Sequence, residues 1–306
     1  MTQYPESSAL DLYSLIVEDG EISQSGFDLR CIQTLELLFF KNVNIRSLSL
    51  ARLVSCQNLH TLKMESCNLD NDSMPPITFL LSRKLRHLSL RNNPKINSHG
   101  IQGLAKALKS SRLQVLQLDG AINCPSGATR VCINLPSSLR ELAISEFNFN
   151  PKALDALIKA NLECIRLHDC PYNEAYEIRP DLLIGTNLKI FSLKYLPESS
   201  YWLKDLLHKV ALSKSLEEVS IANSLSWNEA LRFCKSLKFN VTLRKVDLTI
   251  RQPHMKFANA FGQPKSPKSF WRIMSRLLQF SDNPLNEYRA LCPDLRRLIC
   301  EFLFKQ

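Results

Sequence analysis

Apolar and polar positions recur along this chain in a fixed order. The clearest instance runs from Leu85 to Asn93 and reads Leu-x-x-Leu-x-Leu-x-x-Asn, with Arg86, His87, Ser89 and Arg91 between the leucines. Leu88 and Leu90 stand two apart, so on an extended segment they point to one face while Ser89 and Arg91 point to the other. Aligned on the middle leucine, the pattern returns at Leu35, Leu62, Leu88, Leu116, Leu142, Ile165, Phe191, Val219 and Val246, at spacings of 27, 26, 28, 26, 23, 26, 28 and 27 residues. Each of these residues has an apolar residue three before it and another two after it. A period of this length marks stacked units, none of which can bury its apolar face alone.

The segments between these strands carry helical spacing. Ile101, Leu104, Ala105 and Leu108 follow i, i+3, i+4, i+7. Leu154, Leu157 and Ile158 do likewise, as do Leu203, Leu206, Leu207 and Val210, and Ala230, Leu231, Cys234 and Leu237. Pro151 is acceptable at a helix start, where its missing N–H would have no partner anyway. Asn123–Pro136 reads as a local distortion, and Tyr172–Pro180 as a loop. Each unit is thus a strand, a turn and a helix.

Leu-x-x-Leu-x-Leu-x-x-Asn at this period resembles the leucine-rich repeat, in its longer ribonuclease-inhibitor-like or F-box-associated form. The resemblance covers about residues 32–251. It implies an α/β solenoid of about nine repeats, a right-handed β-α superhelix with parallel strands on a concave face and helices outside. The ninth residue of the family pattern caps backbone groups in the turn, and here Cys67, Asn93 and Cys170 fit that role. The expected organisation is an N-terminal cap at 1–31, with a short helix through Leu10, Leu12, Leu15 and Ile16, then repeats at 32–251, then a loop and helical cap at 252–306.

Function should lie in the residues between the leucines. Those turned away from the core include Lys63, Glu65, Arg91, Asn92, Asp119, Glu146, Arg166, His168, Asp169, Lys194 and Tyr195. They mix both charge signs with an aromatic, and charge complementarity of that kind sets register and on-rate with a folded protein. A nucleic-acid surface would be uniformly basic with stacking aromatics. The expectation is therefore a protein partner on the concave face, with no nucleic acid and no small-molecule substrate. The resemblance to ribonuclease-inhibitor-like proteins implies regulation or inhibition of that partner by covering its active site. The degenerate repeats also look like leucine-rich effectors that intracellular bacteria deliver into host cells, which implies the host cytosol as the place of action.

The C-terminal stretch offers an alternative. Leu291–Leu303, LCPDLRRLICEFL, is similar to the opening helix of an F-box and to the end of a SOCS box, and Ser269-Phe270-x-x-x-Met274 lies where the latter has its upstream motif. That likeness implies a substrate adaptor of a ubiquitin ligase. Two amphipathic helices are expected here, at Ser269–Phe280 and Cys292–Phe304.

Composition changes the picture little. The 306 residues are 45% hydrophobic and 22% charged, ordinary for a globular chain. Net charge is +10, which permits acidic partners or an anionic surface without requiring either. No apolar run is long enough to cross a membrane, and the N-terminus lacks the pattern of a secretory signal. The ten cysteines are scattered without a Cys-x-x-Cys pair, so free thiols in the cytoplasm are expected, with no metal and no cofactor. Cys164, His168 and Asp169 are the one nucleophile-like grouping. An open strand surface supplies neither a pocket nor an oxyanion hole, so no enzyme activity is expected.

Overall fold

Strand after strand joins this sheet in chain order, because each apolar pattern pairs with the next one along. The computed structural model describes residues 13–22, 34–45, 50–121, 125–145, 151–168, 187–194, 201–225, 240, 242–250 and 256–257. Ten strands run parallel: β1 Ser14–Ile22, β2 Leu37–Ile45, β3 Thr61–Glu65, β4 His87–Ser89, β5 Val115–Leu118, β6 Glu141–Ser145, β7 Cys164–His168, β8 Ile190–Lys194, β9 Glu218–Leu225 and β10 Lys245–Ile250. A short β11, Lys256–Phe257, closes the series antiparallel to β10. Among the described residues the sheet is open, with β1 and β11 at its two edges.

Helices α1 Met74–Leu81, α2 Ser98–Leu108, α3 Pro125–Ile133, α4 Pro151–Lys159 and α5 Tyr201–Leu212 alternate with the strands. The first four pack side by side in order. In α2 the periodic set Ile101, Leu104, Ala105 and Leu108 is buried, as its spacing requires. Asn97 caps this helix by accepting from the His99 N–H at 2.9 Å. Asn123–Pro136, read from sequence as a distortion, contains the helix α3. A single apolar core runs from Leu35 to Val246 and joins the strand leucines to the helix faces.

The pairing registers Leu62, Leu88, Leu116, Leu142, Ile165, Phe191, Val219 and Val246 opposite one another, as aligned from sequence. The first member differs. Leu38, not Leu35, sits opposite Leu62, and Phe40 sits opposite Met64. The cause is a doubled pattern: Ile32-x-x-Leu35-x-Leu37 and Leu35-x-x-Leu38-x-Phe40 both satisfy the apolar spacing. Only strand pairing chooses between them. Leu38 is therefore a core residue, and Phe39 takes the outward place.

The helix expected through Leu10–Ile16 is, from Ser14 on, a strand. β1 places Leu15 beside Leu38 and Val17 beside Phe40. Leu12-x-x-Leu15-x-Val17 is one more copy of the apolar spacing, read as helical because four apolar residues crowd into seven positions. The peptide just before each strand repeats too. One carbonyl accepts two N–H groups from the next unit, at Tyr13, Glu36, His60, Arg86, Gln114, Arg140, Glu163, Lys189 and Glu217 in turn. The helices expected at 230–237, 269–280 and 292–304, the loop at 172–180 and the adaptor-like tail lie outside the described residues.

A left-handed residue recurs at one place of the early units, inside β1 and β2 and just beyond β3, β4 and β5. Asp19, Asn42, Ser66, Asn92 and Gly120 occupy these matching places, with φ between 52° and 68°. Asn, Asp and Gly tolerate that conformation best. One place later, Cys67 and Asn93 cap the turn. Asn93 is fully buried: its Oδ1 accepts from the N–H groups of Cys67 (3.0 Å) and Leu69 (3.1 Å). Its Nδ2 donates to the carbonyls of Met64, Leu90 and Arg91 at 2.8 to 3.0 Å. The Cys67 thiol donates to the Phe40 carbonyl at 3.4 Å and to that of Glu65 at 3.3 Å. Cys170 lies outside the described residues.

Candidate partner-binding face

Alternate residues of each strand enter the core, so the intervening ones form rows across the opposite face. The row at the strand ends runs Lys41, Glu65, Arg91, Asp119, Ser145, His168, Lys194. Opposite charges meet within it. Arg91 Nε lies 3.1 Å from Asp119 Oδ2. His168 Nδ1 lies 3.4 Å from Asp119 Oδ1, too poorly aligned to count as a hydrogen bond. Glu65 accepts from the Ser89 hydroxyl at 3.2 Å, and Ser145 accepts from the Gly120 N–H at 2.6 Å. Lys194 stands beside His168 and is half-buried.

The middle row runs Phe39, Lys63, Ser89, Gln117, Ala143, Arg166, Ser192 and alternates long and short side chains from Lys63 on. Ser89, Ala143 and Ser192 are buried, roofed by longer neighbours. Outward direction thus does not mean exposure here. Lys63 holds its ammonium 5.9 Å from the centre of the Phe39 ring, and Arg166 reaches Glu141 at 3.6 Å. The row at the strand starts brings in His87, which sequence reading did not select. Burial, then the charges of Lys63 and Arg91, push its imidazole down to about 4. It is neutral at physiological pH, and its Nε2 is enclosed without a hydrogen-bond partner.

At the β1 end the face turns apolar. Ile16 is 59% exposed, Leu37 and Phe39 are half-buried beside it, and Tyr13 at the margin is 60% exposed. This end is hidden in the sequence while β2 is aligned on Leu35 and residues 10–16 have a helical spacing. The copy Leu12-x-x-Leu15-x-Val17 was the available signal.

Of the residues singled out from sequence, Lys63, Glu65, Arg91, Asp119, Arg166, His168 and Lys194 share this face. Asn92 lies in the left-handed turn beyond it, exposed, with φ 55°. Glu146, Asp169 and Tyr195 lie outside the described residues. Cys164 and His168 occupy the two ends of β7, about 13 Å apart at strand rise. Cys164 is 2% exposed, and burial pushes its thiol up to about 11, opposite to what a nucleophile needs. Among the described residues no cluster of His, Cys, Asp or Glu is arranged to hold a metal, and no helix is long and apolar enough to cross a membrane.

No protein-family model matches the chain, and no curated protein matches it in sequence.

Proposed function

We propose that this chain is a leucine-rich repeat protein of the ribonuclease-inhibitor-like type that binds one protein partner on the open face of its sheet. The partner is regulated by having its own active site covered. The observation that carries this reading is the composition of the face. The ion pair of Arg91 and Asp119, with the His168 ring against it, lies beside Lys63 and Arg166, and an apolar end is formed by Ile16, Leu37 and Phe39. Apolar anchors bordered by charges of both signs match a folded protein surface better than a polyanion or a small molecule. Parallel pairing holds these side chains in place before binding, so little ordering cost opposes association.

A photo-crosslinking amino acid at position 63 tests it, with position 102 on the outer side of α2 as control. One protein should be captured from native lysate at position 63 and not at 102. Capture should fall at least tenfold when Arg91 and Arg166 are both changed to Glu. Equal capture at the two positions, or capture indifferent to the charge reversals, overturns the reading.

A further inference from the structure

Charge is distributed very unevenly along this chain. Residues 1–72 carry ten acidic and five basic side chains. Residues 73–140 carry ten basic side chains against a single acid, Asp119, so this stretch holds +9 where the whole chain holds +10. Asp119 is on the open face, engaged by Arg91. The helical side and the turns of the stretch, α1 to α3, therefore present cations without a counter-charge of their own.

Several of these cations gather where helices end and strands begin. An open cleft of about 490 Å³ there is lined by Gln57, Ser82, Arg83, Lys84, Ser110 and Arg112, three cations with hydroxyl and amide groups and no acid. Cations at helix C-termini also complement the helix dipole, and that alone would account for isolated ones. It does not account for the apolar side chains at the same level. Phe79, Ile133 and Leu212 lie in the last turns of α1, α3 and α5 and are 40%, 51% and 54% exposed. With Tyr13 and Ile16 at the far end of the sheet, they are the exposed large hydrophobics among the described residues. Arg83 lays its guanidinium 4.5 Å from the centre of the Phe79 ring, so an aromatic ring and a cation are offered together.

The geometry points to this helix-C-terminal edge as a docking surface for an anionic membrane. Lipid phosphates and carboxylates meet Arg83, Lys84 and Arg112, while Phe79, and along the edge Ile133 and Leu212, enter the headgroup layer. A nucleic acid would use the cations but gain nothing from the aliphatic side chains. The edge is separate from the open face, so a protein partner could be held while the chain rests on lipid, and the inference stands or falls independently of partner binding.

Vesicle co-sedimentation of the full chain decides it. Phosphatidylcholine vesicles containing phosphatidylserine should retain the protein, pure phosphatidylcholine should not, and added salt should weaken retention. Changing Arg83, Lys84 and Arg112 together to Gln should reduce binding on the order of a hundredfold. Phe79→Ser with Leu212→Ser should reduce it severalfold at unchanged charge. All five residues are exposed, and thermal melts compare their folding with the parent. Absence of retention on anionic vesicles overturns the inference. So does retention unchanged in the Gln variant, or retention by single-stranded RNA alone.

Discussion

His168 Nδ1 lies 3.4 Å from Asp119 Oδ1 although the strands carrying them are not neighbours. β6 runs between β5 and β7, and its residue at the matching place is Ser145. The short serine, itself occupied by the Gly120 N–H, leaves room for the two longer side chains to meet above it. The charged row is thus one connected group, Arg91 to Asp119 to His168, spread over four strands.

That group should be measurable as coupling energy. Arg91 and Asp119 side chains are 35% and 12% exposed, between a surface pair and a buried one. A double-mutant cycle of Arg91→Met and Asp119→Asn, followed by urea denaturation, should give about 1 kcal/mol of interaction. A value indistinguishable from zero would show that the pair is held only loosely.

Asn93 should be the least replaceable polar side chain among the early repeats. Its amide satisfies two backbone donors and three carbonyls in the core. Asn93→Ala strands these groups out of water and should cost about 3 kcal/mol in urea denaturation. Asn93→Asp keeps the acceptor but faces carbonyls with a carboxylate oxygen, and should also destabilise.

The left-handed turns predict an asymmetry between Asn92 and Gly120. Asn92→Gly should change stability by less than about 0.5 kcal/mol, since glycine accepts φ near 55°. Gly120→Ala should cost about 1–2 kcal/mol, because its φ is 68° and a Cβ there would lie 2.7 Å from Asn92 Oδ1 and 3.3 Å from Asn92 Cα. Combining the two should recover part of that cost, as the Oδ1 contact disappears. Thermal melts of the three variants check this.

Stability should fall in mild acid through His87. Its imidazole is held down to about 4 in the folded protein, against 6.5 ordinarily. Between those values the unfolded chain binds the proton and the folded one does not, so stability declines as pH falls through this window and is flat in this respect above it. His87→Gln should flatten part of the decline between about pH 7 and about pH 5, read from urea midpoints. An equal slope in the variant would place the acid sensitivity elsewhere.

Four thiols should resist alkylation. Cys56, Cys67, Cys132 and Cys164 are buried thiols outside any disulfide, and burial raises Cys67 and Cys164 to about 11. Site-resolved mass spectrometry after brief iodoacetamide treatment should find them unmodified until denaturant is added. Rapid labelling of Cys164 in the native protein would reopen a nucleophilic role for it.

Much of the architecture was legible in the amino-acid order. A period of two inside a period near 26 dictates parallel strands stacked in sequence, because only stacking buries the leucines. Eight of the nine aligned positions pair as read, and Asn93 caps its turn as its place in the pattern implies. Where the pattern is degenerate, apolar spacing alone could not choose. At Leu35–Phe40 two registers satisfy it equally, and at Leu12–Val17 a strand and a helix both do. Backbone pairing with the neighbouring strand decided each case, since a slip of register would leave ladder bonds unmade. The face itself was decided by tertiary structure. Periodicity tells which way a side chain points but not what covers it, so Ser89 and Ser192 are buried though outward, Asp119 reaches His168 across a strand, and His87 has its Nε2 enclosed within the field of Lys63 and Arg91. Those relations depend on side-chain length in neighbouring repeats, which lie about 26 residues away in sequence but only ~5 Å away across the sheet.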